Sequence, residues 1–151
     1  MLFIDTDVAI DIIHGLATLE QVTELVGAAD QVAITAPSIY ELYFGLHEME
    51  SRKARKISKA KLQDERQGIE KLCRALIHVP FGHVAAEKSA NIYHGLVAKG
   101  VTIDQFDCMI AAVVLGQDGA SLLTRNSDHF SRIVDLQLKS WRVDARPPVG
   151  D

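Results

Sequence analysis

The stretch Leu2-Phe3-Ile4-Asp5-Thr6-Asp7-Val8 decides the fold. Three apolar residues that end at an acid are typical of a short buried strand in a parallel sheet. The apolar residues Val8, Ile12 and Ile13 then follow with helical spacing, which predicts a strand followed directly by a helix. A lone carboxylate at the end of a buried strand is costly unless it is paired, caps a helix or binds a metal. The stretch therefore predicts the first strand–helix unit of an α/β domain and one candidate site residue, Asp5.

The same alternation of strand and helix continues along the chain. Apolar runs predict strands over 2–6, 32–36, 77–81, 121–124 and 133–138. Apolar residues with helical period predict helices that begin near Asp7 and then cover 17–29, 38–49, 66–77, 83–98 and 103–116. Alternation of this kind predicts an α/β fold, namely a three-layer α/β/α sandwich with a parallel sheet of about five strands. We expect one domain over 1–145 and a short flexible tail over 146–151.

Length and composition agree with this interpretation. The chain has 151 residues, of which 48% are hydrophobic, and this is enough to bury a full core. Its longest apolar run, 108–115, is too short to cross a bilayer, and the N-terminus lacks the basic start of a signal peptide. Cys73 and Cys108 lie in helical patterns without metal-ligand spacing, which indicates free thiols in a reducing compartment. We therefore expect a cytoplasmic protein that does not associate with membranes.

Polar residues recur just beyond the ends of the predicted strands. Asp5 follows the first strand, Glu41 opens the helix after the second, and Asp107 falls on the apolar face of a later helix. Asn126 and Asp128 follow the fourth strand. Ligands of open parallel sheets bind beyond the carboxyl ends of the strands, so we expect these side chains to share one pocket. Several carboxylates in one place repel each other, and a hard divalent cation relieves that repulsion.

Some of these residues also have a purely structural explanation as helix caps. Either Asp5 or Asp7 could cap the first helix, since Asp is a favoured N-cap residue. The pattern Ser38-x-x-Glu41 is a capping box, in which Glu41 would reach back to the backbone N–H of Ser38. Thr6 could donate its hydroxyl to a neighbouring carboxylate or to a water.

The same alternatives apply to the later helices. Asp104 is either a second ligand or an acid favoured by the helix dipole at a helix start. Asn126 could cap a short helix, with Asp128 in its first turn. Asp107 is the hardest to explain structurally, because surface acids normally avoid the apolar face on which it falls.

A basic segment stands out against the net charge of −4. Six of the 16 Lys and Arg residues lie within ten positions: Arg52, Lys53, Arg55, Lys56, Lys59 and Lys61. This segment is either a solvated helix face or connector, or a contact surface for phosphates. Phosphate contacts need local positive charge whatever the net charge of the chain.

Four segments together resemble the PIN domain, and within it the VapC-type toxin ribonucleases of prokaryotic toxin–antitoxin pairs. In chain order they are Leu2 to Val8, Ile39 to Gly45, Phe106 to Ala112 and Leu123 to Asn126. The resemblance runs from Leu2 to about Phe130. No single segment is unique to the family, but the four in this order and at these separations are specific.

The resemblance implies a site and an activity. Asp5, Glu41 and Asp107 match the acids that hold Mg²⁺ or Mn²⁺ in the family, and Asn126 or Asp128 would complete the site. Supporting roles fall to Thr6, Asp7, Asp104 and Thr124. The residues expected to hold RNA phosphates are Arg52, Lys53, Arg55, Lys56 and Arg125. The implied protein is a metal-dependent endoribonuclease that forms a homodimer through the helices near 38–75 and is inhibited by a VapB-like antitoxin.

Two other functions are compatible with parts of the sequence. Phe3-Ile4-Asp5-Thr6-Asp7 also fits the start of haloacid dehalogenase-like phosphatases, in which the first Asp is a nucleophile. Against this, Lys139 follows the wrong segment and no Gly-Asp-x-x-Asp run is present. A catalytically inactive PIN-like module that binds RNA or a protein is the other alternative, because the fourth ligand is uncertain.

The remaining histidines and aromatic residues suggest no chemistry by their spacing. The six histidines are interpreted as surface or core residues. The aromatic side chains of Tyr40, Tyr43, Phe44 and Trp141 are assigned to packing or interfaces rather than to the stacking of nucleobases.

Overall fold

The computed structural model describes residues 1–26, 31–51 and 57–142. Its strands are β1 (Leu2–Ile4), β2 (Val32–Thr35), β3 (Ile77–Val79), β4 (Ser121–Thr124) and β5 (Leu138–Ser140). They form one five-stranded sheet in the order β3-β2-β1-β4-β5, and every neighbouring pair is parallel. The predicted parallel sheet is confirmed.

Helices connect the strands and cover both faces of the sheet. They are α1 (Thr6–Ile13), α2 (Leu19–Glu24), α3 (Ala36–Ser51), α4 (Lys59–Ala75), α5 (His83–Val97), α6 (Gln105–Val114) and α7 (Ser127–Phe130). No helix in the described part of the chain is both long enough and apolar enough to cross a membrane.

The central strand β1 shows why the molecule has three layers. All three of its side chains are fully buried. Successive side chains of a strand point to opposite faces, so Leu2 and Ile4 pack into one core cluster and Phe3 packs into the other. The first cluster is completed by residues of α1, α3 and α4, and the second by residues of α5, α6 and α7. The predicted α/β/α sandwich is confirmed.

The prediction of the fifth strand over 133–138 was wrong. β5 is Leu138–Ser140, and the segment before it is an irregular connection. Ile133 and Leu136 are buried in the second core cluster, and Asp135 between them has a φ of 66°. The apolar residues in this segment reflect burial of a loop rather than extended backbone.

Helix α4 begins earlier than the predicted residue 66. Ser58 caps it and accepts a hydrogen bond from the Lys61 N–H at 3.1 Å. Lys59 and Lys61 of the basic segment therefore belong to the first turn of α4. The other basic residues of that segment, 52–56, lie outside the described residues, as does the predicted tail.

The capping box, which was the structural alternative for Glu41, does not form. Helix α3 begins at Ala36, and Pro37 lies in its first turn, where proline is tolerated. The Ser38 N–H donates instead to the Thr35 hydroxyl at 3.2 Å, so Thr35 takes the capping role. Glu41 therefore does not cap the start of its helix.

Candidate functional site

The pairing of β1 with β4 brings distant polar residues to one edge of the sheet. Ile4 lies opposite Leu123, and the Asp5 N–H donates to the Leu123 carbonyl at 2.9 Å. Both strands end there, so Asp5 and Thr124 emerge side by side. Helix α3 starts from the carboxyl end of the neighbouring strand β2. This is the edge at which parallel α/β sheets bind ligands.

Asp5 both caps a helix and faces its neighbours across the sheet edge. Its Oδ1 accepts the Thr6 N–H at 2.8 Å, as an N-cap does. Its Oδ2 accepts the Thr124 hydroxyl at 2.7 Å, and only 5% of the residue is exposed. Burial raises the pKa of Asp5 to about 7, the charge of Asp7 adds to this, and the two hydrogen bonds oppose it. Asp5 is therefore a carboxylate whose ionised form is destabilised.

Glu41 lies half-buried on α3 and is held from α1. The Thr6 hydroxyl donates to its Oε2 at 2.5 Å. Burial raises the pKa of Glu41, and the negative charges of Asp107 and Asp104 raise it further, whereas the hydrogen bond from Thr6 lowers it. Because the charge of Asp107 raises the pKa of Glu41, the carboxylates of α3 and α6 lie close enough to interact.

Asp107 lies half-buried in the first turn of α6. Burial raises its pKa, and the side chain of His129 lowers it. The His129 Nδ1 is 3.4 Å from the Asp107 Oδ2. His129 is thus a neighbour of the site that the sequence interpretation missed. A single histidine in a short helix gives no signal of which side chain it will meet.

Asp7 is the carboxylate with an unsatisfied oxygen. Its Oδ2 accepts the backbone N–H of Arg125 at 3.0 Å, while its buried Oδ1 has no hydrogen-bond partner among the described residues. Burial raises the pKa of Asp7, and the hydrogen bond from the Arg125 backbone lowers it. A buried carboxylate oxygen that accepts no hydrogen bond can still bind a cation or accept a hydrogen bond from a water.

Arg125, predicted to contact RNA, is engaged in ion pairs here. Its Nε is 3.8 Å from Asp7 Oδ2, and its Nη1 is 3.3 Å from Asp11 Oδ1. Asp11 is only 1% exposed, and its Oδ2 also accepts the indole N–H of Trp141 at 3.2 Å. Of the other residues predicted to bind RNA, Arg52, Lys53, Arg55 and Lys56 lie outside the described residues.

Thr124 connects the fourth strand to the acids. Its buried hydroxyl donates to Asp5 and accepts the backbone N–H of Asn126 at 2.9 Å. The Asp7 Oδ2 is 3.5 Å away, which makes that contact secondary because the hydroxyl has a single hydrogen. Thr124 therefore fixes the orientation of Asp5.

The remaining predicted ligands differ in their surroundings. Asp104 caps α6 by accepting the Phe106 N–H at 2.7 Å, and its charge raises the pKa of Glu41 and of Asp107. Asn126 occupies the N-cap position of α7, but its side chain makes no capping hydrogen bond. Asp128 is exposed in the first turn of α7. The alternative in which the Asn126 side chain caps α7 is therefore not realised, and its amide remains available to a ligand.

Taken together, these acids have the chemistry of a hard-cation site without a finished coordination shell. Four of them have a raised pKa: Asp5, Asp7, Glu41 and Asp107. Oxygen ligands of this kind suit Mg²⁺ and Mn²⁺, and a cation would relieve both the mutual repulsion and the unsatisfied oxygen of Asp7. Within the described ranges, no three Asp, Glu, His or Cys side chains are already close enough to hold one ion. Side-chain rotation would have to complete the shell.

Comparison with solved structures shows the same fold in toxin–antitoxin complexes. In VapBC2 from Rickettsia felis, bound to a DNA fragment from the promoter, one chain is 23% identical with a TM-score of 0.77. The match covers 94% of this chain and 100% of that one. In VapBC-1 from nontypeable Haemophilus influenzae, one chain is 22% identical with a TM-score of 0.73, over 93% of this chain and 98% of that one.

Comparison with sequence families agrees with the structural neighbours. The curated proteins give no match. The model of the PIN domain matches residues 2–136, which include every described strand except β5 and all the acids of the site. On this match over nearly the whole chain, the protein belongs to the PIN domain family.

Proposed function

We propose that this protein is a metal-dependent endoribonuclease and the toxin of a VapBC-type toxin–antitoxin pair. The observation that carries the proposal is the convergence of Asp5, Glu41 and Asp107 from three separate elements: each has a raised pKa, and the charge of Asp107 raises the pKa of the other two. Perturbed carboxylates that lie together at the ligand-binding edge of a sheet are candidates for catalytic chemistry. Membership of the PIN domain family supports a nuclease over the other hydrolases.

The proposed ligands are Asp5, Glu41 and Asp107, completed by Asn126 or Asp128. A bound Mg²⁺ or Mn²⁺ would supply Lewis-acid stabilisation of the phosphate and a water of lowered pKa. The protein's own contribution is to hold the ligands in place. The Thr6 hydroxyl orients Glu41 and the Thr124 hydroxyl orients Asp5, so two carboxylates keep their direction in the absence of substrate.

His129 is proposed to position Asp107. Its Nδ1 lies 3.4 Å from that carboxylate, and a protonated imidazole favours the ionised form that a cation needs. Asp107 is in turn close to Glu41. The carboxylates of Asp5, Glu41 and Asp107 would then face a phosphodiester that lies across the edge of the sheet.

The substrate is proposed to be held by the basic segment together with Arg125. Arg125 is 46% exposed and pairs with Asp7 and Asp11, so a phosphate would compete with these carboxylates for its guanidinium. A cation bound next to Asp7 would weaken that pairing. Metal and RNA would then favour each other's binding.

The proposed partner is a VapB-like antitoxin. Support comes from the neighbouring structures, which are described as VapBC complexes from Rickettsia felis, Haemophilus influenzae and Salmonella typhimurium. A FitAB complex bound to a DNA fragment is similar in fold as well. A homodimer through α3 and α4 is the second assembly we expect.

The test is cleavage of RNA by protein freed from any antitoxin. Wild type, Asp5→Asn and Asp107→Asn are incubated with structured and single-stranded RNA in Mg²⁺, in Mn²⁺ and in EDTA. The matched control is Asp118→Asn, which removes an exposed carboxylate in the turn before β4. We expect cleavage by wild type and control only, and only with metal. Equal cleavage by all four proteins would place the activity elsewhere.

One observation favours a second candidate, a PIN-like module that binds without catalysis. Among the described residues, no three metal-ligating side chains are already grouped around one point. Calorimetric titration with Mn²⁺ separates the two candidates. Binding that Asp107→Asn abolishes supports the enzyme, whereas the absence of binding supports the module. The phosphatase alternative is not proposed further, because the chain belongs to the PIN domain family.

A further inference from the structure

Asp11 is a buried carboxylate that the proposed chemistry does not use. It follows Asp7 by four residues on α1, so the two carboxylates lie on the same face of that helix. Only 1% of Asp11 is exposed, and a buried carboxylate is costly unless it is paired or accepts hydrogen bonds. Each of its oxygens has such a partner. Nη1 of Arg125 is 3.3 Å from Oδ1, and the indole N–H of Trp141 donates to Oδ2 at 3.2 Å.

The guanidinium of Arg125 lies closer to Asp11 than to Asp7. Its Nε is 3.8 Å from Asp7 Oδ2, which is beyond hydrogen-bond distance. Asp7 Oδ2 accepts the backbone N–H of Arg125 instead, at 3.0 Å. The other oxygen, Asp7 Oδ1, has no hydrogen-bond partner in the part of the chain that the structure describes. Arg125 therefore gives its backbone to Asp7 and the closer contact of its side chain to Asp11.

Trp141 fixes Asp11 in the direction that meets Arg125. Its backbone N–H donates to the carbonyl of Thr124, the residue before Arg125, at 2.8 Å. Its side chain is partly buried and packs against the first core cluster. Asp11 belongs to α1, whereas its two partners directly follow β4 and β5. Three elements of the fold thus determine where this ion pair lies.

Asp7 connects the ion pair to the proposed metal ligands. Its Oδ2 is 3.5 Å from the Thr124 hydroxyl, which donates to Asp5. Burial is the main reason why the pKa values of Asp5, Glu41 and Asp107 are raised, and the charge of Asp7 raises all three further. A positive charge that binds Asp7 therefore changes the electrostatics of every proposed acidic ligand.

The charge of Asp11 decides which carboxylate the guanidinium prefers. If Asp11 were neutral, Asp7 would be the remaining carboxylate of the two that Arg125 contacts. A planar guanidinium tends to pair with both oxygens of one carboxylate. Such a pair would use Asp7 Oδ1, the oxygen that is now without a partner. The guanidinium would then take the place of a cation and would repel a divalent ion.

We propose that Asp11 is a positioning residue that holds the guanidinium of Arg125 away from Asp7, which keeps the second oxygen of Asp7 free for the divalent cation. This inference rests on the proposed function and says how its metal site is kept free of the protein's own arginine. Arg125 remains beside the site, where its exposed part can meet a phosphate.

The experiment is a double-mutant cycle on Mn²⁺ affinity, measured by calorimetric titration of protein freed from any antitoxin. The four proteins are wild type, Asp11→Asn, Arg125→Gln and the double variant. Asp11→Asn keeps the shape of the side chain and an acceptor for the Trp141 indole, and it removes the charge that holds Arg125. Thermal unfolding shows that each protein is folded. The control for the loss of one negative charge is the exposed Asp118→Asn, made in both Arg125 backgrounds.

We expect Asp11→Asn to weaken Mn²⁺ binding about tenfold when Arg125 is present and by less than about twofold in the Arg125→Gln background. The control should change little in either background. A direct electrostatic effect of Asp11 on the cation, or a merely structural role, would weaken binding by the same factor in both backgrounds, and that result would overturn the proposal.

Trp141→Phe replaces Asp11→Asn in the cycle if the latter does not fold. It removes one hydrogen bond from Asp11 and leaves the charge in place. The same sign of coupling with Arg125→Gln is expected, and additive affinities would again overturn the proposal.

The same proteins are assayed for RNA cleavage in Mn²⁺, which separates this inference from the proposed function. Cleavage by wild type together with additive Mn²⁺ affinities would refute the role of Asp11 and leave the nuclease intact. Coupled affinities without cleavage of any RNA would refute the nuclease and support the role of Asp11. Absence of Mn²⁺ binding by wild type would refute the metal site and this inference with it.

Discussion

Replacement of Asp5 by Asn should make the metal-free protein more stable at alkaline pH. The Asp5 carboxyl has a pKa of about 7 in the folded protein, against an ordinary value of 3.8. The folded state therefore binds the proton more tightly than the unfolded state. Ionisation of Asp5 therefore lowers the free energy of unfolding. This loss of stability grows as the pH rises from about 4 to 7.

The size of the effect follows from the pKa difference. A shift of about three units corresponds to about 4 kcal/mol at pH 8, where the folded carboxyl is ionised. Asn removes that penalty but has one acceptor oxygen instead of two, so it cannot accept from both the Thr6 N–H and the Thr124 hydroxyl, at a cost of roughly 1 kcal/mol. The net gain of about 3 kcal/mol should raise the Tm by roughly 6–12 °C in EDTA.

Thermal unfolding between pH 4 and pH 9 measures this gain. Asp5→Asn should exceed wild type above pH 7 and lose its advantage near pH 4, while the control Asp118→Asn follows wild type throughout. Mn²⁺ should stabilise wild type by mass action and Asp5→Asn much less. If Asp5→Asn in EDTA at pH 8 were less stable than wild type, the raised pKa would be refuted as a description of Asp5.

Three further substitutions test single contacts of the site. Thr6→Val removes the hydroxyl donor of the α3 carboxylate, and kcat/KM should fall about tenfold or more, with recovery in Thr6→Ser. His129→Ala removes the group that lowers the pKa of Asp107, so the acidic limb of the pH–activity profile should move to higher pH. Trp141→Phe takes the indole donor from the buried Asp11 and should lower the free energy of unfolding by about 1–3 kcal/mol in urea, whereas an unchanged midpoint would show that this hydrogen bond is dispensable.

The fold could be predicted because its central strands are short apolar runs with turn residues between them. β1 and β4 are such runs, and burial on both faces follows from the parallel sheet. The same signal failed at 133–138, because Ile133 and Leu136 are buried although they lie in a loop. Apolar composition predicts burial more directly than it predicts backbone conformation.

The position of the acids could be predicted, whereas their partners could not. Asp5 and Glu41 follow strands or begin helices, and these places are visible in the sequence. The capping-box pattern at Ser38 misled because the helix starts two residues earlier and Thr35 takes the role. Contacts such as Arg125 with Asp7 depend on how elements pack over 118 residues of separation, and no local pattern encodes them.

The hydrogen bond between Thr124 and Asp5 has a consequence for the timing of synthesis. Its two residues are 119 positions apart. The backbone N–H of Trp141, which follows β5, donates to the Thr124 carbonyl at 2.8 Å. A ribosome releases the first strand and its acids long before it has made β4 or β5. Long-range pairing of this kind forms late in folding. The nascent chain therefore carries Asp5, Glu41 and Asp107 while it lacks the strand that holds Asp5, and the candidate site is completed only as synthesis of the domain ends.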